Sequence, residues 1–251
     1  MTPTRSRLEK MLADRLDFLI GVGHDMRAPL TGIAGFAAIL AELDSVTADP
    51  TAAEAVVYIR REAQRLVELL NELLDFGQVE QGVPQLEYEP IDLVSMVRQA
   101  IAPWASRHPG INFDLVEQGR AVVEGDFLRL HRVLANLIDN AVRHSPPGGT
   151  ITIEVGCDDQ AGFLAVADEG AGVPAAHRQR VFQRFVRLGE EGNTNAGPAR
   201  GAGIGLYVVK GLVEAHGGSV RIEDGARFVV TIPLRQPAQI AAQASVGVAD
   251  I

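Results

Sequence analysis

The sequence predicts an α+β protein: an antiparallel helical hairpin that dimerises into a four-helix bundle, followed by an α/β sandwich with a mixed sheet. Near the N-terminus, apolar residues recur at steps of three and four over two long stretches, which is the period of an amphipathic helix. After about residue 110, several short runs alternate apolar and polar residues, which is the period of a half-buried strand. Helical patterns lie between those runs, and this mixture favours one sheet covered by helices on one face.

The chain of 251 residues is long enough for two ordinary domains. The net charge of -9 disfavours a nucleic-acid partner, because phosphate binding needs a local excess of Lys and Arg. No apolar run reaches the roughly 18–20 residues of a membrane-spanning helix, and no signal peptide is visible. We therefore expect a soluble, cytoplasmic protein. Its single cysteine, Cys157, lies in an alternating run and is predicted to be a small core residue.

Two long helices are predicted first, at about residues 5–43 and 52–76, on either side of a turn at residues 44–50. Their apolar stripes are too narrow to be hidden by one hairpin, so dimerisation is the expected solution. A monomeric hairpin packed on the second domain is the alternative. Prolines and glycines after residue 76 place the domain boundary. The predicted domains are residues 1–80 and 81–235, followed by a tail at 236–251 for which disorder is the default.

The second domain mixes strands with helices. Helices are expected at about residues 91–106, 127–144, 175–185 and 203–216. Strands are expected at about residues 111–115, 121–124, 151–157, 163–168, 219–223 and 228–234. Asp126 is placed to cap the helix that follows it.

His24 faces solvent if the first helix forms, because the apolar positions lie roughly 180–240° away around the helix axis. Pro29 cannot donate a hydrogen bond to the carbonyl of Asp25, so the helix should be kinked or loosened beside His24. An exposed imidazole next to a carboxylate suits a nucleophile. Taken alone, a surface histidine usually has no such role.

The helix at 127–144 carries a second stripe beside its apolar face, formed by Arg132, Asn136, Asn140 and Arg143. The two carboxamides can offer neutral oxygens to a hard cation such as Mg²⁺ and NH2 groups to phosphate. On the helix alone, an ordinary polar edge is the simpler interpretation.

Two glycine clusters shift that balance towards a nucleotide pocket. Asp168 ends an apolar strand and meets Gly170 and Gly172, so a carboxylate stands beside a backbone that a flat base can approach closely.

The second cluster, Gly201, Gly203 and Gly205, leads directly into a helix, whose free N–H groups and dipole favour phosphate. A GxGxG pattern alone is a weak signal, and no strand precedes this one as a dinucleotide-binding fold requires.

These motifs, in this order, resemble the sensor histidine kinases of bacterial two-component systems over about residues 8–234. Residues 18–31 look like the phosphoacceptor box, 136–141 like the N box, 168–172 and 201–206 like the two glycine boxes, and Phe182 with Phe185 like the F box. Five motifs in the family's order are far more specific than any one of them.

The resemblance implies ATP-dependent phosphorylation of His24, with Asp25 as its acid/base helper, and transfer to an aspartate of a response-regulator receiver domain. It implies ATP and Mg²⁺ as cofactors, with Asn140 as the metal ligand. Asp168 would accept from the adenine amine, and Arg187 would approach the terminal phosphate. The implied nucleotide contacts are Asn136, Asn140, Arg143, His144, Asp168, Gly170, Gly172, Arg187, Gly201, Gly203, Gly205 and Leu206.

The implied fold is a dimeric helical hairpin followed by the ATP-binding sandwich shared with type II topoisomerases and mismatch-repair ATPases. The implied partners are a second copy of the chain, as a homodimer, and a receiver domain. The input would come through a sensor domain outside this sequence or through a separate sensor protein. No nucleic acid and no membrane span are expected.

Three residues depart from the family pattern. Ala28 stands where the family often carries Thr or Asn to position water for dephosphorylating its partner, so we expect weak phosphatase activity. Gly23 replaces the more usual Ser, and Ala202 replaces a hydroxyl residue. These changes keep open a non-catalytic pseudokinase or phosphotransfer scaffold with the same fold. An ATPase or serine kinase is the third hypothesis, and the exposed His24 argues against it.

Overall fold

The computed structural model describes residues 26–80, 86–186 and 203–234. It separates into two compact units, one built on the N-terminal helices and the other on the sheet and its helices. Several predicted features lie outside the described residues: His24, Asp25, Arg187, Gly201 and the tail at 236–251.

The N-terminal unit contains α1 over residues 26–41, α2 at Asp44–Thr47 and α3 at Pro50–Glu80. The Asp49 carboxylate accepts from the N–H groups of Thr51 and Ala52 at 2.9 and 3.4 Å, which caps α3. Pro50 occupies the first helical position, where its missing N–H costs nothing. The helix continues to Glu80 rather than ending near residue 76, because Gly77 is buried and its packing overrides its poor helix propensity.

The hairpin buries only part of its apolar surface. Ala37, Val56 and Ala63 are buried. Ten larger apolar side chains of this unit stay exposed: Met26, Ile33, Phe36, Ile39, Leu40, Leu43, Val57, Tyr58, Ile59 and Leu66. We call this set the exposed hairpin residues. Apolar surface of this extent along two helices is typical of a surface that packs against another protein.

The second unit is built on a five-stranded sheet with the order β2-β4-β5-β7-β6. The strands are β2 Asn112–Gln118, β4 Thr150–Cys157, β5 Ala161–Asp168, β6 Ser219–Ile222 and β7 Ala226–Pro233. β2 runs parallel to β4, and the other neighbours are antiparallel, so the predicted mixed sheet is confirmed. A separate ribbon pairs β1 Glu89–Asp92 with β3 Val122–Gly125.

Helices α4 Leu93–Arg107, α5 Phe127–His144 and α6 Gly205–Ala215 pack on the sheet and on one another. Alternate residues of β4 are fully buried, namely Ile151, Ile153 and Val155, while Thr150, Thr152 and Glu154 between them are half-buried. The core therefore lies between the helices and one face of the sheet. None of the helices in the described ranges is long and apolar enough to cross a membrane.

Residues 91 and 92 belong to β1 rather than to the predicted helix at 91–106. The Asp92 carboxylate accepts from the N–H groups of Val94 and Ser95, at 3.0 and 3.3 Å. This cap makes Leu93 the first residue of α4.

The predicted helix at 175–185 is wrong. That segment forms only two short 3₁₀ turns, Ala175–His177 and Arg180–Phe182. Its buried residues, Val181 and Phe182, are adjacent in sequence. A helix buries residues three and four positions apart. The segment therefore has no apolar helical face whose burial would stabilise a helix.

The prediction that Cys157 is a core residue is also wrong. The side chain is exposed at the last position of β4, and its Sγ–H donates to the Arg120 carbonyl at 3.0 Å. The alternation of the strand holds through Val155, and burial stops where the strand ends.

Candidate nucleotide-binding site

Helix α5 positions the two asparagines of the predicted pocket. Asp126 caps its N-terminus, because a carboxylate oxygen accepts the Arg129 N–H at 3.1 Å. One face of the helix is buried: Leu130, Val133, Leu134, Leu137, Ile138 and Ala141. Asn136 and Asn140 lie one turn apart at the edge of that face, and both are half-buried.

Asn136 carries an unpaired polar group. Its Nδ2 is buried and has no hydrogen-bond partner among the described residues. A Cβ built on Gly205, the first residue of α6, would lie 4.0 Å from the Asn136 Cγ. The carboxamide is therefore next to the N-terminus of α6, where the N–H groups of the first turn and the helix dipole favour an anion. Leaving a buried donor unpaired costs about 1–3 kcal/mol, which a phosphate oxygen at this position would recover.

Asp168 is the half-buried last residue of β5. One oxygen, Oδ1, accepts the Gly170 N–H at 2.8 Å. Burial raises the pKa of this carboxyl group above its ordinary value, while the Gly170 hydrogen bond and the nearby His144 act in the opposite direction. Since desolvation is the largest of these effects, further hydrogen bonds from a ligand would stabilise the ionised form of this carboxyl group.

No side chain fits at the glycines after β5. A Cβ at Gly170 would lie 2.5 Å from the Asp168 Oδ1 and 2.6 Å from the His144 carbonyl oxygen. Gly172 has φ 72°, and a Cβ there would lie 2.6 Å from the carbonyl of Gly225. The loop is thus held against the end of α5 and against the turn between β6 and β7. This close approach fixes Asp168 beside the C-terminus of α5.

We expect Gly170→Ala to weaken nucleotide binding by about tenfold or more, because the new methyl must displace the Asp168 carboxylate or the His144 backbone. The matched control is Gly110→Ala, where a Cβ would meet nothing within 4 Å. Titration of both variants with a fluorescent ATP analogue measures the effect, and circular dichroism verifies folding. Equal affinity in the two variants would contradict this geometry.

Within the second glycine cluster, Gly203 and Gly205 are described. Gly203 has φ 72°, a left-handed conformation that favours glycine. Gly205 begins α6, and Leu206 follows in its first turn. The buried residues Val208, Val209, Leu212 and Val213 anchor this helix in the core. Its N-terminus is therefore held in a fixed position beside Asn136.

Arg143 and His144 end α5 and are exposed. The Arg143 guanidinium pairs with the Asp139 carboxylate one turn earlier. His144 contributes its carbonyl to the close approach at Gly170, and its imidazole interacts electrostatically with Asp168.

Two residues of this region were missed from the sequence. Ser145 is the C-cap of α5, and its buried Oγ has no hydrogen-bond partner among the described residues. Gly225 accepts the Val173 N–H at 3.1 Å and supports Gly172. An Asp-Gly pair between two strand patterns signals a turn at Gly225, but nothing in the sequence joins that turn to the loop after β5.

Two family models match the chain. Residues 14–82 match the His Kinase A (phospho-acceptor) domain. Residues 125–236 match the histidine kinase-, DNA gyrase B-, and HSP90-like ATPase family. The first match contains His24, and the second contains the asparagines and both glycine clusters.

Curated relatives agree with these matches. The chain is 31% identical over 228 residues to the alginate biosynthesis sensor protein KinB of Pseudomonas aeruginosa, covering 88% of this chain and 37% of that protein. It is 30% identical over 239 residues to the sensor protein IrlS of Burkholderia pseudomallei, covering 94% of this chain and 50% of that protein. The chain thus spans half or less of the length of these relatives.

Solved structures show the same architecture. Full-length ShkA in complex with AMPPNP has a TM-score of 0.68 and 26% identity, over 88% of this chain and 46% of that one. The mycobacterial sensor histidine kinase MprB has a TM-score of 0.52 and 29% identity, over 60% of this chain and 99% of that one.

Proposed function

The chain belongs to the sensor histidine kinases of two-component systems, and from this premise we propose that it transfers the γ-phosphoryl group of ATP to His24 and then to an aspartate of a response-regulator receiver domain. The observation that carries the proposal is the buried Nδ2 of Asn136, which lacks a hydrogen-bond partner in the described part of the chain and lies beside the N-terminus of α6. These two features form a phosphate site on the same unit as Asp168.

In this proposal the adenine base binds at Asp168, and the phosphates bind at Asn136 and the N-terminus of α6. Asp168 accepts the exocyclic amine of adenine, and Gly170 and Gly172 let the backbone approach the base. Asn136 donates its free Nδ2 to a phosphate oxygen, and the first N–H groups of α6 donate to the same phosphates. The remaining proposed nucleotide contacts are Arg143, His144, Arg187, Gly201, Gly203, Gly205 and Leu206.

Mg²⁺ is proposed to bind together with the nucleotide, with the Oδ1 of Asn140 as its protein ligand. The residues present fit a hard ion that takes few protein oxygens and several phosphate oxygens, since Asn140 lies one turn from the unpaired Asn136 amide. When bound, the ion neutralises charge on the transferring phosphoryl group.

The acceptor step uses a neutral imidazole of His24. A ring nitrogen attacks the γ-phosphorus in line, an N–P bond forms, the bond to the bridging oxygen breaks, and ADP leaves. Asp25 takes the ring proton that the phosphorylated imidazole gives up. A receiver-domain aspartate then accepts the phosphoryl group from His24.

The proposed acceptor unit is a homodimer. The exposed hairpin residues are large apolar side chains along both helices, and a second hairpin would cover part of this surface in a four-helix bundle. We propose a cytoplasmic setting, where ATP and receiver domains are available. The input is proposed to reach the hairpin through a sensor domain or a separate sensor protein.

The test is incubation of the purified protein with γ-labelled ATP and Mg²⁺. We expect a protein-bound label that is labile in acid and stable in base, as expected of a phosphorylated imidazole, and that does not form when EDTA removes the ion. Nucleotide binding without label would favour the phosphotransfer-scaffold alternative. Absence of both label and nucleotide binding would refute the pocket itself.

A further inference from the structure

A buried histidine joins the two helices of the proposed nucleotide site at their far end. His216 directly follows α6 and is 0% exposed. Its Nδ1 lies 2.7 Å from the Leu212 carbonyl oxygen, and its Nε2 accepts the backbone N–H of Asp126 at 3.1 Å. The neutral tautomer that carries its proton on Nδ1 satisfies both hydrogen bonds. We call this contact, at the N-cap of α5, the Asp126–His216 junction.

The two helices meet at this junction and again at the phosphate end, and the distance between the two contacts is similar along each helix. Ten residues separate Asp126 from Asn136, about 15 Å at about 1.5 Å per residue. Eleven residues separate Gly205 from His216, about 16.5 Å on the same rise. Helices α5 and α6 pack against each other at two matched points, and they are antiparallel because the start of α5 meets the end of α6. One point is the Asp126–His216 junction, and the other places Gly205 beside Asn136.

The junction is closely packed. A Cβ at Gly125 would lie 2.8 Å from the Leu130 Cδ1 and 3.3 Å from the His216 Cδ2. The Tyr88 ring meets the imidazole edge-on, with centroids 6.0 Å apart. The Glu87 N–H donates to the Asp126 carboxylate at 3.2 Å. The segment that leads into β1 therefore closes over the same contact.

We propose that His216 is a positioning residue for nucleotide binding. Its hydrogen bond to Asp126 sets the register of α6 along α5, and this register sets the distance between the Asn136 carboxamide and the first N–H groups of α6. The inference rests on the proposed function of that site. A slide of about 1 Å is enough to misplace donors aimed at one phosphate group.

Protonation of His216 opposes this contact. An imidazolium presents an N–H to the Asp126 N–H, so the hydrogen bond is lost. Burial lowers the pKa of His216 below its ordinary value of 6.5, the Leu212 carbonyl and the Asp126 carboxylate raise it, and Arg129 lowers it. Tyr88 is the titratable group that faces the ring from the segment before β1.

We therefore expect the free energy of unfolding to fall on acidification. The unfolded chain binds a proton at this histidine below about pH 6.5, whereas the folded chain resists it, so the contribution is complete above that pH and is lost progressively below it. Thermal unfolding at several pH values, in the parent protein and in His216→Gln, measures the difference. A parent and a variant with superimposable pH profiles would contradict this assignment.

The positioning role is tested by two amide substitutions. His216→Gln can place its amide oxygen near the position of Nε2 and keep the Asp126 bond, whereas His216→Asn reaches only the position of Nδ1 and the Leu212 carbonyl. We expect His216→Gln to bind a fluorescent ATP analogue within about twofold of the parent protein, and His216→Asn and His216→Phe to raise its Kd by about tenfold.

The measurement uses the full chain, with thermal midpoints recorded alongside. Equal Kd values for the Gln and Asn variants would overturn the proposal. If His216 only supported the fold, glutamine alone would not restore the affinity for the analogue. If His216→Phe does not fold, the comparison of Gln with Asn still decides. Absence of analogue binding by the parent protein would instead refute the proposed function, so the two failures are distinct.

Discussion

Replacement of His24 by alanine is expected to abolish labelling from γ-labelled ATP while leaving nucleotide affinity within about twofold of the parent protein. The imidazole nitrogen is the proposed acceptor, and alanine offers no atom to attack phosphorus. The proposed nucleotide contacts all fall between residues 136 and 206, within the span of the ATPase family match. We therefore expect the His24→Ala protein to lose the label completely and to keep its nucleotide binding.

The matched control is a histidine outside both proposed sites. His108 is the C-cap of α4, where its ring stacks on Trp104 with centroids 5.7 Å apart. We expect His108→Ala to be labelled like the parent protein. Acid-labile label that persists in His24→Ala would place the acceptor at another histidine and would refute the assignment.

The strands and helices with strong periodicity were predicted from the sequence to within a few residues. β4 alternates Ile151, Ile153 and Val155 with polar residues, and α5 has a cap at Asp126 followed by a long apolar stripe. Both signals are local, so they can be recognised without knowledge of the tertiary structure.

β1 could not be predicted in the same way. Of its four residues, Ile91 alone is buried. The segment is a strand because it pairs with β3, about thirty residues further along the chain. Pairing between distant segments leaves no local periodicity.

Some features of the candidate site were likewise predicted from local patterns, and others depend on contacts between distant segments. Asp168, Gly170 and the asparagines of α5 were named from the sequence, because a carboxylate at a strand end and carboxamides on a helix edge are local patterns. The contact between His216 and the Asp126 N–H joins residues 90 positions apart. The group that His216 contacts there is a backbone N–H, so no residue type in the sequence indicates this partner. Only the fold reveals that this histidine is buried and hydrogen-bonded at both nitrogens.

Asp168→Asn is expected to raise the Kd for ATP by about a hundredfold and to reverse the preference between ATP and inosine triphosphate. A carboxylate accepts at both oxygens, so Asp168 can hold the Gly170 N–H and still receive the adenine amine. Asparagine has one acceptor. Its NH2 group must face either the adenine amine or the Gly170 N–H. In each arrangement two hydrogen-bond donors face each other.

Inosine triphosphate separates base recognition from loop support, because it carries a carbonyl oxygen where adenine carries the amine. The parent carboxylate repels that oxygen, whereas the asparagine NH2 can donate to it. We therefore expect the parent protein to prefer ATP and Asp168→Asn to prefer inosine triphosphate. Competition of each nucleotide against a fluorescent analogue measures both preferences.

Asp158→Asn is the matched control for this substitution. Asp158 also accepts backbone N–H groups, from Gln160 and Ala161 at 2.8 and 2.7 Å, but it is exposed. Those hydrogen bonds lower the pKa of Asp158, whereas burial raises that of Asp168. We expect Asp158→Asn to bind both nucleotides like the parent protein.

The raised pKa of Asp168 predicts how Asp168→Asn changes stability, and the stability is needed to interpret a loss of binding. At neutral pH the ionised group is disfavoured in the folded protein relative to the unfolded chain, so a neutral asparagine that keeps the Gly170 hydrogen bond removes that penalty. Asp168→Asn should accordingly be no less stable than the parent protein. A hundredfold loss of ATP affinity at an unchanged thermal midpoint would then report on recognition of the base. A lower midpoint with equal losses for both nucleotides would instead show that Asp168 supports the loop after β5 and does not read the base.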